Sequence, residues 1–463
     1  MNLAVAEEDG LPVPRRYWAM LAIALAVTMA VLDGAIANVA LPTIARDLHA
    51  SPADSIWVVN AYQLAITISL LPVAALGEIH GYRRVYLIGL VLFTLASAIC
   101  ALSDSLLTLT LARVAQGFGA AAIMSVNAAL TRFVYPRRLL GRGIGINAMV
   151  VAISSALGPS VAAAILSVGN WPWLFAINVP IGVLAFAVAI RSLPTTPPAS
   201  HRFDTGSALL SAATFGLLIA AIDGAGHSAH LPMVLGLVVL TVVCGTLLVR
   251  RQAGRTAPLL PVDLLRIPVF ALSILTSILS FTAQMLAFVA LPFYFQDALG
   301  RSAVQTGLLL TPWPLALAVV APFAGRLSDR YSAGLLGGLG LLIMGLGLIL
   351  IVQLPAHPGD LALVWRLALC GIGFGLFQTP NNRAMLQAAP RHRSGGAGGM
   401  LATARLLGQT TGAALVAMIF SLAPMRGTAL SVTVAAVCAI LAAAVSLVRL
   451  GTQPGNATSQ PAG

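Results

Sequence analysis

Fourteen apolar runs of about 17–25 residues, each the length a helix needs to cross a hydrocarbon layer, follow one another along this chain and leave it few folds. They begin near Trp18, Ile56, Val85, Leu106, Ile144, Leu174, Gly206, Leu231, Val269, Ala303, Leu335, Leu361, Met400 and Leu430. Inside a bilayer every backbone N–H and C=O must find its partner within the protein, so only helices and closed barrels span it. The alternation of a barrel strand is missing, which leaves helices. Because 59% of the 463 residues are hydrophobic, 9% are charged and the mean hydropathy is +0.93, a soluble domain is excluded. The expected fold class is an all-α polytopic membrane protein with 14 transmembrane helices.

A formal net charge of +12 and a pI near 10.7 raise the question of nucleic acid, but the basic residues form no patch. All 26 are arginine, and they alternate by loop. With the N-terminus inside, the cytoplasmic side collects Arg15, Arg16, Arg83, Arg84, Arg132, Arg137, Arg138, Arg142, Arg191, Arg202, Arg250, Arg251, Arg255, Arg266, Arg326, Arg330, Arg383, Arg391, Arg393 and Arg449. The outer side keeps Arg46, Arg301 and Arg426, while Arg113, Arg366 and Arg405 fall within spans. The positive-inside rule then puts both termini in the cytoplasm and calls for an even number of spans.

The N-terminus does not read as a cleavable signal: Glu7, Glu8 and Asp9 precede the first basic pair, the apolar run is too long, and no small-residue cleavage site interrupts it. Cys100, Cys244, Cys370 and Cys438 sit in different spans without paired or metal-type spacing, so neither a disulfide nor a metal site is expected. The Asn456-Ala-Thr acceptor sequence falls in a cytoplasmic tail on this topology and is discounted.

Two polar or proline-bearing loops, Pro194–His201 and Arg250–Pro268, bracket a pair of helices with few polar residues. The division expected is a six-helix half over 1–193, two inserted helices with their loops over 194–267, a second six-helix half over 268–450, and a tail over 451–463. The halves echo each other. Span two ends in Gly77-Glu-Ile-His-Gly-Tyr-Arg-Arg and span ten in Gly325-Arg-Leu-Ser-Asp-Arg, and spans four and twelve each carry an arginine followed by glycines, Arg113-Val-Ala-Gln-Gly-Phe-Gly and Arg366-Leu-Ala-Leu-Cys-Gly-Ile-Gly-Phe-Gly. Internal duplication is a mark of secondary transporters, which bind near the midplane between repeats and rock one against the other.

Asp33 is an acid in the middle of the first run, Trp18–Ile44. A charge at that depth costs about 3 kcal/mol even on lenient scales, so it faces a protein interior or a water-filled cavity. One reading makes it a proton or substrate site; the plainer one ties it to a nearby hydroxyl or backbone group. Arg113, always charged, needs a partner at its depth. Arg366 and Arg405 read equally as structural links or functional groups.

Several stretches together resemble a known family: Leu32-Asp-Gly-Ala-Ile-Ala-Asn-Val-Ala-Leu-Pro, Arg113-Val-Ala-Gln-Gly, Gly158-Pro159, and Trp171-Pro-Trp-Leu-Phe-Ala-Ile-Asn-Val-Pro-Ile-Gly in the first half, then Leu291-Pro-Phe-Tyr-Phe-Gln, Ala321-Pro-Phe-Ala-Gly-Arg-Leu-Ser-Asp-Arg and Gly398-Gly-Met-Leu-Ala-Thr-Ala-Arg-Leu-Leu-Gly in the second. In order and over about Trp18 to Leu450 they resemble the fourteen-helix drug:proton antiporters of the major facilitator superfamily, the QacA- and EmrB-like exporters. The resemblance implies a major facilitator fold in the inner membrane and proton-driven export of lipophilic compounds by alternating access. It assigns coupling to Asp33 and Arg113, gating loops to Gly77, Glu78, Gly81, Arg83 and Arg84 and to Gly325, Asp329 and Arg330, and an antiporter helix to Gly158 and Pro159. It also implies a monomer, with the path inside one chain. The chain departs from the family at Glu78, Ile79 and Tyr82, where aspartate and two arginines are usual, and at Ala162 and Ala163, where glycines are.

Other polar residues, Asn38, Tyr62, Gln63, Asn127, Gln296, Gln378 and Asn381, are candidates to line a cavity or to link helices, and Trp57 and Trp171 read as interface anchors. The runs at Gly117, Gly119, Gly371, Gly373 and Gly375 mimic nucleotide-binding spacing, but no strand precedes them, so close helix packing is the better account. A membrane-embedded enzyme or receptor is the competing class; no His/Asp/Glu cluster, nucleophile with a base, or soluble domain supports it. No cofactor is expected, and no ATP-binding loop is present, so an ion gradient must supply the energy. The partners expected are a small lipophilic substrate, cationic or neutral, protons and membrane lipid, without nucleic acid; the runner-up is proton-linked export or symport of an endogenous metabolite.

Overall fold

The computed structural model describes residues 10–196, 203–226, 231–253, 262–355, 357–390 and 393–452. Glu7, Glu8, Asp9, Arg202, Arg255, Arg391, Asn456 and parts of both long loops lie outside the described residues. Among the described residues, fourteen helices are long and apolar enough to cross a membrane: α1 (Arg15–Asp47), α2 (Pro52–His80), α3 (Tyr82–Ala101), α4 (Leu106–Val134), α5 (Arg142–Val168), α6 (Pro172–Ser192), α7 (Thr205–Ala225), α8 (Leu231–Gln252), α9 (Pro268–Ala298), α10 (Ala303–Leu327), α11 (Ala333–Val352), α12 (Asp360–Ala388), α13 (Gly396–Leu422) and α14 (Gly427–Val448). The chain is thus an all-α, multi-pass membrane protein.

The spans are not featureless rods. Proline interrupts the hydrogen-bond ladder inside α1, α2, α5, α9, α10 and α12, at Pro42, Pro72, Pro159, Pro292, Pro322 and Pro380. Their ends are fixed by short polar caps. Ser302 opens α10 with a reciprocal capping box to Gln305, and Gly81, at φ +90, turns the chain between α2 and α3 where an L side chain would be strained.

Helices α1–α6 pack chiefly among themselves, as do α9–α14. Small residues allow the closest approaches: a Cβ on Gly373 would lie 2.4 Å from the Gly340 carbonyl oxygen, and one on Gly371 would lie 2.1 Å from that of Trp313. Those glycines are therefore helix contacts. The inserted pair divides its work. Helix α7 packs on both α2 and α13 and so covers one side of the seam between the groups, whereas α8 leans mainly on α7 and leaves its apolar side chains exposed.

The chain passes back and forth, so the start of α1 and the end of α6 share one face, where Arg15 Nε donates to the Ser192 carbonyl at 3.0 Å. We call this the terminal face and the opposite one the far face. Hydrogen bonds between the two groups, among the described residues, lie at the far face or mid-depth. Gln296 Nε2 donates to the Val39 carbonyl (2.8 Å), its Oε1 accepts from Thr43 and Arg46 (3.0 and 3.2 Å), and Arg46 meets Asp297 at 3.1 Å. Deeper in, Ser160 meets Thr311 at 2.8 Å and Thr67 meets Thr410 at 3.0 Å. The seam is clasped on the far side.

Two expectations are corrected here. Trp171 is no interface anchor: it is buried, edge-on to Phe175 at 6.2 Å. Arg449 is no loop charge either. It is 1% exposed, and Nη1 donates to Ser273 Oγ (2.7 Å) and Asn381 Oδ1 (2.6 Å) while Nη2 donates to Ser446 Oγ (2.6 Å), drawing α9, α12 and α14 together. Burial lowers its guanidinium to about 10, still high enough to stay charged near neutrality.

Candidate functional site

Asp33 sits halfway along α1 with no solvent exposure, and Arg113 on α4 is equally buried. A charged residue of each sign at the same depth has an obvious solution: Arg113 Nη1 donates to Asp33 Oδ2 in an ion pair. Oδ1 is filled as well, accepting from Gln116 Nε2 at 2.8 Å and Asn178 Nδ2 at 3.0 Å. Three donors on an acceptor-only group match an ionised carboxylate. Gln116 continues the network, donating to Ser97 Oγ (2.8 Å) and accepting from Arg113 Nη1 (2.6 Å).

Arg113 is held on its other side by the Val58 carbonyl, to which Nε donates at 2.9 Å, and by the ring of Tyr62, 4.1 Å from Cζ. Tyr62 in turn donates to the Ala30 carbonyl at 2.9 Å. The site thus links α1, α2, α3, α4 and α6 inside the first group. Asp33 and Arg113 are brought together but do not open into a space between the groups, because their surroundings are the helices of the first group alone. Of the two surroundings expected for Asp33, a protein interior or a water-filled cavity, this conformation gives the first.

The same helix α1 joins this site to the far clasp. Ala35 receives Gly158 of α5, where an added Cβ would come within 2.5 Å. Pro159, next along, lies against α10: a Cβ on Gly307 would stand 2.5 Å from the Pro159 carbonyl oxygen and 3.0 Å from Ala163 Cβ. Beyond Ala35 come Val39, Thr43 and Arg46, the clasp residues. A shift of α1 relative to α4 is therefore felt at the seam.

Among the other sequence candidates, Gln296 forms the clasp, and Asn381 is fully buried on Arg449 with Nδ2 on Ser277 Oγ at 2.8 Å. Asn127 donates to Asn147 Oδ1 at 3.1 Å. Asn38 keeps an unpartnered, buried Oδ1, Gln63 is buried, and Gln378 is half-buried. In the turns, Gly77 faces Val126 and Tyr82, Glu78 and Arg84 are exposed, Arg83 Nη2 donates to the Ile190 carbonyl at 2.5 Å, and Gly325 lies near Thr379. Asp329 meets Arg383 at 2.5 Å, while Arg330 is exposed. Both turns thus tie helices of their own group. Arg366 donates to the Leu350 and Ala362 carbonyls at 3.1 and 2.8 Å, a structural link. Trp57 donates to Asp223 of α7 at 3.1 Å.

Sequence reasoning overlooked Gln116, Asn178, Ser97, Thr43, Thr67 and Thr410. The first two lay in quoted stretches, as amides within apolar runs; the hydroxyls carry no comparable mark.

The sequence profile of the Major Facilitator Superfamily matches residues 23–412 and 272–463. The chain is 60% identical over 450 residues, 97% of its length and 98% of the relative's, to the "Uncharacterized transporter YebQ" of Escherichia coli (strain K12). It is 31% identical to the "Riboflavin transporter RibZ" of Clostridioides difficile (strain 630), covering 88% of this chain and 89% of that one. It is also 31% identical to the "Multidrug resistance protein Stp" of Mycobacterium tuberculosis (strain CDC 1551 / Oshkosh), covering 87% and 75%. In fold it is similar to the crystal structure of a bacterial homolog of the human lysosomal transporter Spinster, with a TM-score of 0.69, 16% identity, and coverage of 96% and 98%.

Proposed function

The chain belongs to the Major Facilitator Superfamily, a transporter and not an enzyme, and from that premise we propose that it is a proton-coupled antiporter exporting lipophilic compounds across the inner membrane by alternating access. The observation that carries this is the buried Asp33–Arg113 pair with its two amide donors. It is a protonatable group at membrane depth, mounted on the helix that also bears the far clasp.

A proton on Asp33 removes the negative charge and turns one acceptor into a donor, so the attraction between α1 and α4 falls away. Arg113 stays where Val58 and Tyr62 hold it. Helix α1 is then free to move, and with it Val39, Thr43 and Arg46 at the seam. The arginine-rich terminal face belongs in the cytoplasm by the positive-inside rule. On that orientation the far clasp ties the two groups together on the outer side while Asp33 is deprotonated.

The relative named for multidrug resistance supports the export of foreign compounds. The relative named a riboflavin transporter supports an endogenous metabolite as the second reading. Everted vesicles carrying a pH-sensitive dye, challenged with drugs and metabolites, test both. The proposal expects substrate-evoked proton release that is lost in Asp33→Asn; release that no compound evokes counts against it.

A further inference from the structure

Arg405 is a third arginine at membrane depth, and unlike the other two it has no partner. Arg113 is matched by Asp33 and Arg366 by carbonyls, whereas Arg405 makes no hydrogen bond or ion pair among the described residues and its Nε is buried without an acceptor. Its nearest stabilising contact is the Phe281 ring, 5.8 Å from Cζ. Nine residues into α13, it lies about 14 Å from that helix's terminal-face end, close to the middle of a layer about 30 Å thick. A guanidinium cannot escape its charge by losing a proton.

The helix phase says where Arg405 faces. On α13, Gly408 and Gly412 press on α9, where a Cβ would stand 2.5 Å from the Ile278 carbonyl oxygen and 2.7 Å from that of Thr282. Gly399 and Thr410 face α2, beside Leu71 and Thr67. Met400 and Ala404 turn outward to the cluster with Leu210 and Leu248 of the inserted helices. At about 100° per residue, Arg405 and Gln409 occupy the remaining arc, between the α9 side and the α2 side, toward the seam of the two groups. Both are partly exposed. The neighbour beside Arg405, the Phe281 ring, is apolar.

From this juxtaposition we propose that Arg405 is the anion-binding residue of the transport path, and that the substrate class is an amphipathic organic acid: an apolar or aromatic body bearing one carboxylate. The carboxylate pairs with the guanidinium fork, Gln409 offers an amide one turn away, and the body lies against Phe281. Asp33 and Arg113 cancel as a pair and Arg366 is tied to carbonyl dipoles, which leaves Arg405 without either kind of partner among the described residues; a monovalent anion completes it while a cation would be repelled. This departs from the expectation of a cationic or neutral substrate. It rests on the transporter reading, and it gives the cycle an electrical signature: one acid leaving as one proton enters carries two positive charges inward, so transport answers to membrane potential as well as to pH.

The test is equilibrium binding to the full chain in lipid nanodiscs, using benzoate, 2-naphthoate and decanoate, each against its amide and its amine. The expected result is about ten- to a hundredfold tighter binding of at least one acid than of its amide, as a charge-assisted contact gives. The amine binds worst, Arg405→Gln erases the acid preference, and Arg405→Lys restores part of it. Equal binding of every acid and its amide by the unaltered protein, tighter binding of the amines, or an acid preference that survives Arg405→Gln overturns the proposal. Because the unaltered protein decides the first two outcomes, a variant that fails to assemble does not protect the idea. Asp33→Asn should keep the acid preference, and acid binding by the unaltered protein that evokes no proton movement would sink the antiport reading and leave this one standing.

Discussion

Removing one charge of the Asp33–Arg113 pair should cost far more than removing both. In Asp33→Asn the side chain keeps one acceptor where two were used. If its oxygen stays toward Gln116 Nε2 and Asn178 Nδ2, its amide nitrogen faces Arg113 Nη1; if it flips, the nitrogen faces the two amide donors. Either way donor meets donor, and Arg113 is left charged with no exposure. Breaking a buried pair in this manner costs about 3–5 kcal/mol. Arg113→Gln leaves the carboxylate two amide donors and belongs at the lower end of that range. The double variant removes both charges and fills similar volume with amides, so the coupling energy should be roughly 3 kcal/mol. Reversible unfolding of the four proteins in mixed micelles, followed by circular dichroism, measures it. Additivity within about 0.5 kcal/mol would show that the two residues do not act as a unit.

Gln296→Ala removes three hydrogen bonds from the far clasp; at a net loss of about 2 kcal/mol it should raise the far-open population about thirtyfold. Spin labels at Asp47 and Met425, both exposed on that face, should show the longer distance gaining weight, and an unchanged distribution would place the gate elsewhere. Gly373→Ala puts a Cβ 2.4 Å from the Gly340 carbonyl oxygen and should lower stability by about 1–3 kcal/mol through overpacking; a full-strength Tm would refute so close a helix contact. Asp329→Asn breaks an exposed pair within one group and should cost under about 1 kcal/mol, while Glu78→Asp should leave transport rates at the unaltered level.

Hydropathy made the membrane class and the number of spans legible, since a span is a local property of some twenty residues. The pairing of Asp33 with Arg113 was within reach, because two opposite charges buried at one depth have little else to meet. What the sequence hid was set by helices far apart in the chain. Arg449 follows the last apolar run and reads as a loop charge until Ser273, Asn381 and Ser446 are seen to converge on it. Gln296 and Asn381 looked alike as amides in apolar runs, yet one bridges the two groups and the other is sealed inside one, according to which neighbour each helix face meets. Trp171 had the composition of an interface anchor and became core because Phe175, one turn on, packs on its ring. Arg405 stood in plain view, but its lack of a partner is a property of the surroundings and not of its own run.

Exchange of substrate for protons through Asp33 is tested most directly in proteoliposomes, with a pH gradient imposed at zero membrane potential. The account predicts that the unaltered protein accumulates a transported acid against its concentration gradient and moves protons the other way as it does so. Asp33→Asn, reconstituted at equal density, should bind that acid but accumulate none. Uphill accumulation at the unaltered rate in Asp33→Asn, or accumulation by the unaltered protein that ignores the pH gradient, would contradict the account.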